Sequence, residues 1–185
     1  MREAVGDVIG RYLDDDDLAA LVPRMLRKFL RDEYGRGKGA LAYEAYLRRF
    51  AKGFRPSSVV VPHMVAVLES LRAEGWRLGL ISRMTRRVLN PAVAAAGLAE
   101  LFDVVMAEEE LPDDTPDPAS TLRMTARLGV AVEEAAMVTG DRGWATAAQR
   151  AGMPLIRAAW TTFSSPGGGL RSPDELRIRV MNLRR

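Results

Sequence analysis

Along the first third of the chain, apolar residues recur with the 3.6-residue period of helices that lie on a core. Val5, Val8, Ile9, Tyr12 and Leu13 fall at i, i+3, i+4, i+7 and i+8, which predicts a helix over 1–13 that Gly6 and Gly10 weaken. Residues 18–31 repeat the pattern through Val22, Leu26, Phe29 and Leu30, with a start or a kink at Pro23 and a break across glycines 35–39. Residues 40–52 carry a third stripe, Tyr43, Tyr46, Leu47 and Phe50. Between the first two helices, Asp14–Asp17 reads as a solvated loop whose last carboxylate caps the next helix.

The pattern changes after the proline-bearing linker 53–62. Helix 63–74, with Met64, Val67, Leu68 and Leu71 on one face, ends at Gly75 as a C′ glycine. Apolar runs at 77–82, 103–106, 136–139 and 154–158 have the length and composition of buried strands, and helical segments separate them. Asn90-Pro91 predicts a capped helix over 91–96, and Asp117-Pro118 predicts another that ends near Gly129. A last helix should start at the capping box Ser172-Pro173-Asp174-Glu175, although Leu176, Ile178 and Val180 alternate as a strand would. Strands alternating with helices at this spacing predict an α/β fold with a parallel sheet and right-handed crossovers. Two units are expected: a helical cap over 1–55 and an α/β core over 56–185.

In open α/β sheets ligands bind beyond the carboxyl ends of the strands, so residues there are the first candidates for chemistry. Asp141 follows the apolar run 136–139 and precedes an Ala-rich helical segment, and Ser82 ends the run 77–82. Each also has a plain structural role open to it, as a helix cap. His63, the single histidine, sits at a helix start and suits a surface or capping role. The glycines of the loop 161–171 are not followed by the Lys-Ser/Thr of a phosphate-cradling loop.

Composition narrows the class. A hydrophobic fraction of 48% with 28% charged residues fits a globular domain, and 185 residues suffice for a proper core. With no cysteine there are no disulfides, thiolate ligands or thiol nucleophile, and the cytoplasm is the expected compartment. No apolar run is long enough to span a membrane. The net charge of +3 comes from arginines that are scattered, apart from a C-terminal group, and aromatics make up 6%, so no nucleic-acid surface is expected. Lysine occurs at 28, 38 and 52 and nowhere later.

From Pro62 onward the chain resembles the haloacid dehalogenase superfamily in its phosphoglycolate-phosphatase-like branch. The carrying stretches are LESLRAEGWRLGLIS, GLAELFDVVMAEEEL, TPDPASTLRMTARLGV and AAMVTGDRGWATAAQRAGMPLI, in the family's order and spacing. The helical region 1–52 is similar to the cap of those enzymes. The resemblance implies a Rossmann-like parallel sheet with a small helical cap, a small phosphorylated metabolite as substrate, and Mg²⁺ as cofactor. It also implies a site of four parts: a nucleophilic Asp in a D-x-D-x-T loop after a central first strand, a Ser or Thr that binds the phosphoryl group, a Lys or Arg that neutralises it, and Asp residues that hold the metal. A dianion needs a cation and donors, and a metal offsets repulsion between carboxylate and phosphate.

Ser82 matches the phosphate-binding hydroxyl and Asp141 the first metal ligand. The second metal Asp is missing, with Trp144 and Ala145 in its region, and Thr115 stands where the family has its Lys in K-P-x-P. Arg123, Arg127 or Arg142 are candidates to supply the charge instead. Asp7-Val8-Ile9-Gly10 is a decayed match to the nucleophile loop, with Asp7 as nucleophile, but its segment reads as helix. The first core strand and its loop are therefore expected to be missing. Three readings follow: a degenerate member with impaired catalysis and weak or no Mg²⁺ binding, an N-terminally incomplete hydrolase, and an active Mg²⁺-dependent phosphomonoesterase using Asp7. Losing the motif Lys and the second metal Asp favours the first, since truncation would spare both. A missing central strand would expose two facing sheet edges, which predicts a homo-oligomer or a marginal monomer.

Overall fold

The computed structural model describes residues 23–53, 61–112, 115–160 and 168–182, with side chains described from residue 27 to 49 in the first helix. The predicted helix over 1–13, the acidic run 14–17 and Asp7 lie outside the described residues, as does most of the loop 161–171.

Helix α1 (Pro23–Gly53) is broken at Gly35, whose φ of 78° and ψ of 166° are not helical. A side chain at Gly39 would collide with the backbone of Leu30 and Arg31. In a straight helix those residues would stand more than about 10 Å apart, so the second half turns back on the first. The glycines at 35–39 thus act as the expected break. The two halves close over a cluster of Leu30, Ala42, Tyr43, Tyr46 and Leu47, which Val88 joins from outside the hairpin.

The α/β part follows in order: α2 (Met64–Ala73), β1 (Gly79–Ile81), α3 (Arg86–Ala95), β2 (Val104–Met106), α4 (Pro118–Leu128), β3 (Met137–Thr139), α5 (Arg142–Arg150), β4 (Leu155–Arg157) and α6 (Pro173–Met181). All four strands are where the apolar runs place them, though each is a three-residue core of its run. They form two parallel pairs, β1 with β2 and β3 with β4. Among the described residues β1 and β3 do not pair with each other.

The ladder shows which residues of each strand face its described partner. Ser82 N–H donates to the Met106 carbonyl and Val104 N–H to the Leu78 carbonyl, so residues 78, 80 and 82 face β2. Alternate residues of a parallel strand bond to opposite sides, which turns Gly79 and Ile81 to the other edge. By the same logic Met137 and Thr139 bond to β4, and Val138 faces away and is exposed. The pairs are joined through side chains. Met124 and Leu128 of α4 meet Trp144 and Ala147 of α5 over Ile81 and Met137, while Leu78 and Ala136 pack on the opposite face against α2 and α6. A Cβ at Gly79 would stand 2.5 Å from the Met124 sulfur, so the Met124 side chain would have to shift to admit one.

Local signals set most helix ends. Asp117 caps α4 with Pro118 in its first turn, and Gly129 closes that helix in the left-handed region at φ 67°. The helix predicted over 91–96 is different. It starts five residues earlier, at Arg86 after Thr85, and carries Pro91 inside. Burial of Val88, Leu89, Ala92 and Val93 along one face rewards the longer helix, and Arg87 and Pro91 are exposed, so water can serve the carbonyl that proline leaves free. In α6, Leu176 and Val180 are buried four residues apart and Ile178 is exposed, a helical and not a strand pattern. Its capping box does not close as expected: Glu175 accepts from Arg171 N–H and the Ser172 side chain makes no cap bond.

Candidate functional site

The carboxyl ends of β1 and β3 bring Ser82 and Asp141 to the same end of the molecule, and the link between them is Arg83. Ser82 Oγ accepts from Met84 N–H at 3.1 Å, which pins the turn after β1, and among the described residues its own proton has no acceptor. Asp141 caps α5: Oδ1 accepts from Trp144 N–H at 3.0 Å, and Asp141 N–H donates to Thr139 Oγ1 at 3.1 Å. Its other oxygen, Oδ2, lies 3.4 Å from Arg83 Nη2, with the two side chains 33% and 20% exposed. Sequence reasoning missed Arg83. Its only signal was its place directly after Ser82.

Two of the other substitutes for the missing lysine are engaged elsewhere. Arg123 donates to the Glu110 carbonyl and Arg127 to the Glu110 carboxylate, while Arg142 is exposed in the first turn of α5. Thr115 is buried and donates its hydroxyl to Asp117 Oδ2 at 3.1 Å. Asp117 also accepts from Ser120 N–H and Ser120 Oγ. Burial pushes the Asp117 carboxyl up, but these bonds from Ser120 and Thr115, with a further one from Ala119 N–H, outweigh it and hold it below the usual carboxylate range. Glu110 is lowered in the same way: burial opposes, and Arg127, Ala107 N–H and Arg86 win.

His63 directly precedes α2 as its N-cap residue with φ 68°, makes no side-chain cap bond, and pairs on the surface with Asp174 at 3.3 Å. The cap role for its side chain is not realised. The surface role is.

Between α1 and the start of α3 lies a cavity of about 420 Å³ whose wall includes Arg27, Arg31, Arg36, Arg87, Tyr43 and Thr85. Four arginines and two carboxylates, Glu44 and Glu109, line it, and three of the arginines are paired: Arg27 with Glu108, Arg31 with Asp32 and Arg87 with Glu44. The Thr85 hydroxyl on its wall is buried and has no hydrogen-bond partner among the described residues. Tyr43 and Glu108 tie α1 to the end of β2, with Tyr43 Oη donating to Glu108 Oε2 at 3.3 Å. Burial, reinforced by Glu108, raises the tyrosine far above its ordinary value.

The family model for haloacid dehalogenase-like hydrolases matches residues 9–158. The chain belongs to that family. Within it the chain falls in the phosphoglycolate-phosphatase-like branch. It is 28% identical over 171 residues to phosphoglycolate phosphatase of Escherichia coli (strain K12), an alignment covering 92% of this chain and 62% of that protein. The chain therefore spans about three-fifths of the length of such curated relatives. Its fold matches the crystal structure of CbbY from Rhodobacter sphaeroides in complex with phosphate, with a TM-score of 0.73 at 19% identity over 95% of this chain and 88% of that one. It also matches a variant of the same protein in complex with xylulose-(1,5)bisphosphate, with a TM-score of 0.71 at 20% identity over 95% and 88% of the two chains.

Members of the family generally use Mg²⁺, so the donors at the strand ends can be tested against it. A hard dication of this size wants near-octahedral oxygen ligation anchored by carboxylates. Among the described residues no three metal-ligating side chains come together. Asp141 already spends one oxygen on the helix cap and faces a guanidinium with the other, and Trp144 and Ala145, both buried, stand in the region of the second carboxylate. These described residues do not fit the ion. Among the described residues, no helix is long and apolar enough to cross a membrane.

Proposed function

We propose that this protein binds a small phosphorylated metabolite at the carboxyl ends of β1 and β3 and has lost efficient phosphoryl hydrolysis. The observation that carries the reading is the commitment of Thr115: its hydroxyl donates to Asp117, and nothing in that motif neutralises a phosphoryl group. In their places at the strand ends, Ser82 would donate its hydroxyl to the phosphoryl oxygen, and Arg83 would supply the positive charge. The phosphate and bisphosphate complexes of the structural relative support this ligand class. The arginine-lined cavity would hold a second anionic group of the metabolite. In this reading the residues up to 55 form a cap and the rest the core, and the Tyr43–Glu108 contact couples them.

Without an activated nucleophile the site can bind but cannot form the acyl phosphate on which the family's hydrolysis depends. The purified chain with Mg²⁺ should leave an aryl phosphate unhydrolysed above buffer, while calorimetry detects phosphate binding. Turnover that Asp7→Asn abolishes would overturn the reading and establish Asp7 as the nucleophile.

A further inference from the structure

Resting on that phosphate-binding reading, we infer that Arg83 takes the place of the metal, so that anion binding at the strand ends of this protein is independent of Mg²⁺. The argument starts from charge. A phosphate dianion approaching Asp141 meets a carboxylate of the same sign, and a cation between them is needed to offset the repulsion. The nearest cation among the described residues is the Arg83 guanidinium, 3.4 Å from Asp141 Oδ2. Its position comes from the chain itself, one residue beyond Ser82, whose Oγ fixes the following turn through Met84 N–H.

A guanidinium carries five N–H donors in a planar fork, and the Asp141 contact uses one of them. The rest suit a phosphate, which arginine binds through paired parallel hydrogen bonds. Arg83 can therefore bridge carboxylate and phosphate as a divalent ion would, holding Asp141 with one edge and the anion with another. Asp141 is capped to α5 through its first oxygen and faces the guanidinium with its second, so toward the phosphate it contributes a repelling charge that Arg83 offsets. A tightly held dication at the same carboxylate would have to displace a fixed positive charge, with Ala145 offering no second oxygen.

The test is calorimetric titration of the full chain with inorganic phosphate, in EDTA and again with excess Mg²⁺. The two dissociation constants should agree within about twofold, since no metal takes part. Arg83→Met should weaken binding about tenfold or more, the effect of deleting a charge-assisted contact. Asp141→Asn keeps the helix cap and removes the repelling charge, so it should tighten binding by about twofold or more. Thermal melts of both variants check folding, and either variant alone decides the matter. Mg²⁺ that tightens phosphate binding tenfold, Arg83→Met with an unchanged constant, or Asp141→Asn that weakens binding would each overturn the inference while leaving a phosphate site in place. Absence of phosphate binding under both conditions would instead defeat the reading on which it rests, and the inference with it.

Discussion

The N-termini of α4 and α5 are built alike and end up with opposite characters. Each begins with an aspartate that accepts from the backbone N–H three residues on, Asp117 from Ser120 and Asp141 from Trp144. Asp117 is 8% exposed and also takes the hydroxyls of Thr115 and Ser120. Asp141 has a third of its side chain exposed and faces a single long contact from Arg83. The first carboxylate is fully committed to its own loop. The second keeps spare valence toward open space at the strand ends. Capping chemistry is common to both, so what separates a structural from a candidate functional aspartate is how many donors the surroundings bring to it.

The largest effect that would sharpen this contrast is on stability. Asp117→Ala removes a cap and the acceptor shared by two buried hydroxyls, which keep only each other as partners, and this should cost about 2–3 kcal/mol. In a chain of this size that lowers Tm by roughly 6 °C, and phosphate affinity should stay as it was. A calorimetric melt showing no loss would mean that the network around Thr115 is not formed. Asp141→Ala should cost less, about 1 kcal/mol, because a partly exposed cap is lost and Arg83 can turn to water. If the two substitutions destabilise equally, the distinction drawn from donor number fails.

Gly143 lies between the two caps. A Cβ there would stand 2.9 Å from Pro116 Cγ and 3.1 Å from Asp141 Oδ1. Overpacking of that kind is offset by the better helix propensity of alanine, so Gly143→Ala should change stability by under about 1 kcal/mol. Its larger consequence is displacement of Asp141, read as a change in phosphate affinity at nearly constant Tm. The smallest effect concerns acid. Asp117 is held below its ordinary value in the folded chain, so between the two values the unfolded chain binds more protons and stability rises with pH. That contribution is complete above about pH 4–5 and is lost as pH falls through the folded value. In denaturant titrations the gap between wild type and Asp117→Asn should hold steady near neutrality and narrow below about pH 4. A gap that is constant to the lowest pH would show that the carboxylate is not stabilised by its donors.

What could be read from the chain was local. Asp117-Pro118 with Gly129, the strand runs that end at Ser82 and just before Asp141, and the glycine break at 35–39 all rest on contacts within a few residues, where side-chain type and backbone geometry leave few alternatives. The departures from the family pattern at Thr115 and Ala145 were equally legible, since they are matters of identity at a position. Tertiary structure decided the rest. Pro91 sits inside a helix because the face holding Val88, Leu89, Ala92 and Val93 is buried, a reward no local signal records. Arg123 and Arg127 were reasonable candidates for the missing charge until packing assigned them to Glu110. Arg83 reaches Asp141 across 58 residues of sequence because the ends of β1 and β3 come together in space. A charge carries no mark of its partner along the chain. Only the packing of the strands determines which cation meets which carboxylate.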